Sequence, residues 1–169
     1  AIAAAIMFVP KARAVVWDPM VGTASDRSRS AYGRRAPFIL AGSVGVTVSF
    51  AALFNAPPFS MAGTVIYVAV AYFLLATSYS VFAVPYVAVP AEISSLPAER
   101  ERLTSWRMTF AMAGVLIGAA AAPIIAVAAG GGRRGYGTMA VIVALGCGLA
   151  TLGAWWTIRR YHARDRAAT

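Results

Sequence analysis

An all-α polytopic membrane bundle follows from three features of this 169-residue chain. Of its residues 60% are hydrophobic, only 12% are charged, and its long apolar runs show no alternation of period two. Soluble domains carry about 25% charged residues, whereas a hydrocarbon core about 30 Å thick takes roughly 20 apolar residues per helical crossing. Inside hydrocarbon every backbone amide needs a partner within its own segment or in a closed barrel. Runs of this length without strand periodicity are therefore helices.

Five segments, 2–22, 37–55, 64–90, 104–129 and 138–158, are each long enough to cross, and 1–169 reads as one transmembrane bundle. The first run contains Lys11, Arg13 and Asp18, charges that each cost at least ~2.5 kcal/mol on insertion scales. The second opens at Pro37, whose fixed φ and missing N–H suit a first helical turn. It also carries Gly42 and Gly45, small residues that allow close backbone approach where lipid offers no hydrophobic drive. The third has Pro85 inside and Pro90 at its end, and the fourth has Pro123, each removing a backbone donor and kinking its helix. Gly114 and Gly118 of the fourth form a literal GxxxG, which predicts a helix–helix contact. The fifth holds the single cysteine, Cys147, from which neither an intramolecular disulfide nor a cysteine-ligated metal site can be built.

The joints between these segments set the orientation. The formal charge of +9 comes from 15 basic and 6 acidic residues, and four arginines lie between Asp26 and Arg35, none between Ala56 and Gly63, two between Glu92 and Arg102, two between Gly130 and Gly137, and four after Ile158. Alternate sides thus hold ten against two, with Arg133 and Arg134 as the exception. Positive charge stays on the cytoplasmic side, so the chain runs from an outside N-terminal end to a cytoplasmic C-terminal end of a multi-pass cell-membrane protein. The same placement assigns the excess charge to topology, and no nucleic-acid partner is expected. No Walker loop, HExxH helix, Gly-x-Ser-x-Gly elbow or cysteine–histidine ligand spacing occurs, so no catalytic residue, metal or cofactor is expected and the chain is not read as an enzyme.

The most informative stretch is Asp18-Pro19-Met20-Val21-Gly22, then Asp26-Arg27, then Gly33-Arg34-Arg35-Ala36-Pro37-Phe38. Gly22 allows packing at a helix end, Asp26 caps a helix or pairs with an arginine, and Gly33 permits a tight reversal. These residues resemble the loop between the second and third helices of the major facilitator superfamily. With the upstream Asp-Pro and downstream Pro-Phe, they resemble above all the glycoside-pentoside-hexuronide:cation symporters, the melibiose permease family. Pro85-Tyr86 through Pro90-Ala91-Glu92 with Glu99-Arg100-Glu101-Arg102, and Gly130 through Gly137, are similar to two further connections of that family.

The resemblance implies that the five segments are helices two to six of a twelve-helix carrier. This chain would then be part of the N-terminal half, and the first helix and C-terminal half would belong to the intact protein. It implies transport of a small molecule, a sugar or glycoside, with a coupling cation across the bilayer by alternating access. Asp18 and Arg107 become substrate- or cation-binding candidates, and Gly22, Asp26, Arg27, Gly33, Arg34 and Arg35 a gating loop. Lys11 and Arg13 either face the cavity, pairing with Asp18 or meeting an acidic substrate, or snorkel to an interface. Tyr86, with Tyr79, Phe82 and Trp106, either stacks on a sugar face or packs between helices. The family places two further acids where Ala14 and Ala83 stand, which argues for a proton, or for uncoupled transport, over sodium, since a metal ion needs several oxygen ligands. A major facilitator carrier of lysophospholipid or drugs, and a nontransporting receptor or assembly module, are the alternative readings.

Overall fold

The computed structural model describes residues 2–28, 30, 34–58 and 60–168, with side chains described between 13 and 160. Five helices make up the described chain: α1 (Ile2–Arg27), α2 (Ala36–Phe54), α3 (Met61–Ile93), α4 (Pro97–Ala128) and α5 (Gly132–Ala168). Four of them, α2, α3, α4 and α5 through Arg160, are long and apolar enough to cross a membrane. Helix α1 has the length, 26 residues, but Lys11, Arg13 and Asp18 interrupt its apolar run.

Helices outrun apolar segments. Apolarity marks what lipid can surround, whereas a helix continues wherever its backbone bonds and caps allow. Helix α1 passes Gly22 and ends only at Arg27, so Gly22 is not at a helix end. Helix α3 starts early because the Ser60 hydroxyl accepts from the Gly63 amide at 3.3 Å, an N-cap bond. Helix α4 begins at Pro97, its charged first turns being good helix formers despite their polarity. The glycine-rich segment before α5 shrinks to a short turn, in which Gly130, Gly131 and Gly132 have φ of 96°, 65° and 55°. The Gly131 amide closes that turn on the Ala126 carbonyl at 2.9 Å.

The packing order differs from the chain order. Helix α2 is central, lying on α3 and α5, while α1 packs on α3 and α4 on α5, and α3 touches α4 only slightly. Gly42 and Gly45 hold α2 against α3: a Cβ at Gly45 would sit 2.8 Å from Ser78 Cβ, and one at Gly42 would overlap the Phe82 backbone. Gly114 and Gly118 meet nothing within 4 Å, so the GxxxG pair makes no contact among the described residues. Small residues permit close approach but do not select a partner. A cluster of Ile39, Val89 and Ile158, flanked by Phe82, Tyr86 and Trp155, joins α2, α3 and α5 at the end where most arginines lie. At the opposite end Arg133 donates to the Ala56 carbonyl, and Asn55 Nδ2 donates to the Gly137 carbonyl at 3.3 Å.

Candidate functional site

Helices α1, α2 and α3 line an open cavity of about 600 Å³. Arg13, Ala14 and Asp18 enter it from α1, Phe50 from α2, and Tyr79 and Ala83 from α3. Ala14 and Ala83, the positions at which the resembled family carries acids, thus share one cavity with Asp18. Asp18 Oδ1 is buried and lacks a hydrogen-bond partner, as do Arg13 Nε and Nη2 and Trp17 Nε1. Burying polar groups without partners is costly, so these atoms are conspicuous. Arg13 and Asp18 form no ion pair. Five residues at 3.6 per turn set them about 140° apart around α1, so of the alternatives open for Arg13 the direct pair with Asp18 is not formed. Arg13 instead lies between two rings, its Cζ 5.3 Å from the Trp17 centroid and 4.9 Å from that of Phe73, a cation–π arrangement. The side chain of Lys11 lies outside the described residues.

Arg107 and Tyr86 line a different cavity of about 270 Å³ between α3, α4 and α5. Arg107 Nε is buried there without a partner. Tyr86 stacks on Phe82, centroids 5.2 Å apart, and packs against the core cluster. The candidate binding residues therefore fall into two groups along α3, not one. Tyr79 joins the first cavity and is exposed, as is Trp106, which stacks on Phe110 at 5.9 Å.

The gating-loop candidates converge at the arginine-rich end. Arg35 Nη2 donates to Asp26 Oδ1 at 2.8 Å, and Arg34 Nη2 donates to Glu92 Oε1 at 3.0 Å. Arg35 Nε faces the same Glu92 oxygen at 3.4 Å, an ionic contact outside hydrogen-bond geometry. The side chains of Arg35 and Glu92 are each 12% exposed, against 59% for Arg34 and 56% for Asp26, so the Arg35–Glu92 contact is the protected centre of the network. Glu92 is the residue the sequence reading left out of the site, although it is the acid that follows Pro90 on α3 and faces the loop arginines. Arg27 is exposed at the end of α1, Gly22 packs near Val84, and Gly33 lies outside the described residues.

Comparison with known proteins fits this arrangement. All of residues 1–169 match the family described as MFS/sugar transport protein. "Putative glycoside/cation symporter YagG" of Escherichia coli K12 is 35% identical over 92% of this chain and 35% of its own length. "Inner membrane symporter YicJ" of the same organism is 34% identical over 66% of this chain and 24% of its own. "Sodium-dependent lysophosphatidylcholine symporter 1-A" of Danio rerio is 32% identical over 70% of this chain and 22% of its own. The chain thus spans about a third or less of the length of these relatives. The helical membrane bundle, the loop signature tied by Asp26, Arg34, Arg35 and Glu92, and the match over every residue place this chain in the MFS/sugar transport protein family of the major facilitator superfamily, as a segment similar to its glycoside-pentoside-hexuronide:cation symporters.

Proposed function

We propose that the intact carrier imports a sugar or glycoside together with a cation, a proton rather than sodium, by alternating access. The observation that carries this is the composition of the α1–α2–α3 cavity. Asp18 is its one carboxylate among the described residues, and Ala14 and Ala83 occupy its wall. One carboxylate is a poor cage for a metal ion, which draws several oxygen ligands, but it suffices to carry a proton, and an acid within a membrane helix points to an ion or substrate path. Tyr72, Tyr79 and Ser80 line the same wall and supply hydroxyls for a sugar. The name of the YagG relative, a glycoside/cation symporter, agrees with this cargo.

In this reading the helices are the second to sixth of twelve, and the remaining helices complete the cavity wall. The arginine-rich end faces the cytoplasm. The Asp26–Arg35–Glu92–Arg34 network braces the loop that grips the other half of the carrier, so that its release opens the cavity inward. Arg107 and Tyr86 act from the second cavity. A lipid or drug cargo is the second reading, favoured by the apolar part of the wall, Val46, Phe50, Leu75 and Ala76, and by the lysophosphatidylcholine symporter among the relatives.

The test is uptake by the intact carrier in proteoliposomes, with a panel of labelled sugars and lysophospholipids under an imposed proton or sodium gradient. The proton gradient drives sugar accumulation and Asp18→Asn abolishes it without preventing membrane insertion. Normal accumulation by Asp18→Asn, or accumulation driven by sodium alone, overturns the coupling assignment, and uptake confined to lysophospholipids overturns the cargo.

A further inference from the structure

We infer that the groove between α2 and α5 holds an anionic phospholipid, its acyl chain between the two helices and its phosphate at Arg160. The lipid belongs to the leaflet at the arginine-rich end, the cytoplasmic one in the reading above. The groove has a volume of about 170 Å³ and a wholly apolar exposed lining. Val44 and Val48 of α2 form one flank and Leu145, Leu149 and Leu152 of α5 the other, all of them exposed. Its floor lies where the helices come close: a Cβ at Gly148 would sit 2.8 Å from Thr47 Oγ1. The hydroxyls there are already committed, Ser43 donating to the Ile39 carbonyl at 2.7 Å and Thr47 to the Ser43 carbonyl at 2.9 Å. The groove therefore suits hydrocarbon rather than a polar guest.

The polar end of the site lies further along the same face of α5. Leu145, Leu149, Leu152, Trp156 and Arg160 follow one another at steps of four, three, four and four residues, the spacing of a single helix face. Trp156 is exposed, and Arg160 Cζ lies 4.0 Å over its ring. This cation–π contact steadies the guanidinium without neutralising it, and no carboxylate among the described residues pairs with Arg160. From Trp156 to Leu145 the helix rises about 16 Å, which matches half of a hydrocarbon core about 30 Å thick. A tryptophan at headgroup level, with an arginine one turn beyond it, thus frames a chain that reaches the middle of the bilayer. A basic side chain just outside the hydrocarbon draws anionic lipid in preference to zwitterionic lipid.

Lipid rather than protein reaches this side of α2. Val46 and Phe50 face the α1–α2–α3 cavity, and each is two residues from a groove residue, Val44 or Val48, which sets the two surfaces about 160° apart around the helix. In the carrier reading, on which this step rests, the remaining helices complete the wall of that cavity, so the groove is turned away from them.

The experiment is photolabelling of the intact carrier in phosphatidylcholine vesicles that contain a trace of phosphatidylglycerol or of phosphatidylcholine, each with the same diazirine-bearing acyl chain. The adducts are mapped by peptide mass spectrometry. Phosphatidylglycerol labels residues 44–48 and 145–152 about fivefold more than phosphatidylcholine does, the factor that one arginine near the surface contributes. Arg160→Gln brings that ratio towards one, whereas Arg102→Gln, which removes an exposed charge from α4, leaves it unchanged. Equal labelling by the two lipids, a ratio that survives Arg160→Gln, or the same fall in Arg102→Gln overturns the proposal. Absence of label from both segments means that protein, a second copy or one of the remaining helices, covers the groove, and overturns it as well. The assay needs no transport, so failure of the lipid site and failure of the carrier reading are read separately.

Discussion

The two charged regions of this bundle differ in whether opposite charges meet, although Arg35 Nε and Nη1, like atoms of Arg13 and Asp18, are buried without a hydrogen-bond partner. At the arginine-rich end Arg34, Arg35, Asp26 and Glu92 meet one another at 2.8 to 3.4 Å. In the α1–α2–α3 cavity Arg13 and Asp18 stand in one wall without pairing, and each keeps buried polar atoms unpartnered. Charges that satisfy each other hold structure together. Charges kept apart at a cost in stability make the cavity the place to test for a bound ion or solute.

This contrast breaks most visibly at Glu92. Glu92→Gln withdraws the negative charge from the shielded Arg35 and is expected to lower the unfolding stability of the detergent-solubilised carrier by about 2 kcal/mol, below the roughly 3–5 kcal/mol of fully buried pairs that lose one partner, because both side chains keep 12% exposure. An unchanged unfolding midpoint would show that Asp26 alone suffices for Arg35. The matching substitution in the cavity sharpens the comparison: Asp18→Asn removes a charge that has no partner, so stability holds or rises by up to about 1 kcal/mol while gradient-driven uptake is lost. A drop in stability comparable to that of Glu92→Gln would make Asp18 a structural acid. Arg34→Gln sets the lower bound. Its side chain is 59% exposed, and exposed ion pairs contribute less than about 1 kcal/mol, so denaturant titration should scarcely distinguish it from wild type. A larger loss would mean that the network acts as one cooperative unit.

Much of the fold was legible in the residues. Long apolar runs separated by arginine-rich and glycine-rich joints marked five helices in their order, and Pro37 marked the start of α2 to within a residue. The ends were less legible, because Pro97 to Leu103 is helical for reasons of backbone bonding that hydropathy does not register. Lateral order was not legible at all: nothing local to α2 says that it lies between α3 and α5, and so nothing showed that Tyr86 and Arg107 would face one cavity and Asp18 another. The glycines illustrate the same limit. Gly42 and Gly45 are tight against α3 while Gly114 and Gly118 meet open space, although all four have equally small side chains. At the site, the sequence left pairing of Arg13 with Asp18 open, and only the packing of α1 against α2 and α3 brings Ala14, Asp18 and Ala83 into one wall. Glu92 was visible as an acid beside a proline. Its partners were not, since Arg34 is 58 residues away in the chain.

The turn between α4 and α5 carries an evolutionary constraint of its own. Three successive residues there adopt left-handed backbone, a conformation that residues bearing a Cβ enter only at a cost. A related chain with ordinary side chains at those three positions has to insert residues to reverse direction, so the length of this connection and its glycine content should vary together across homologues.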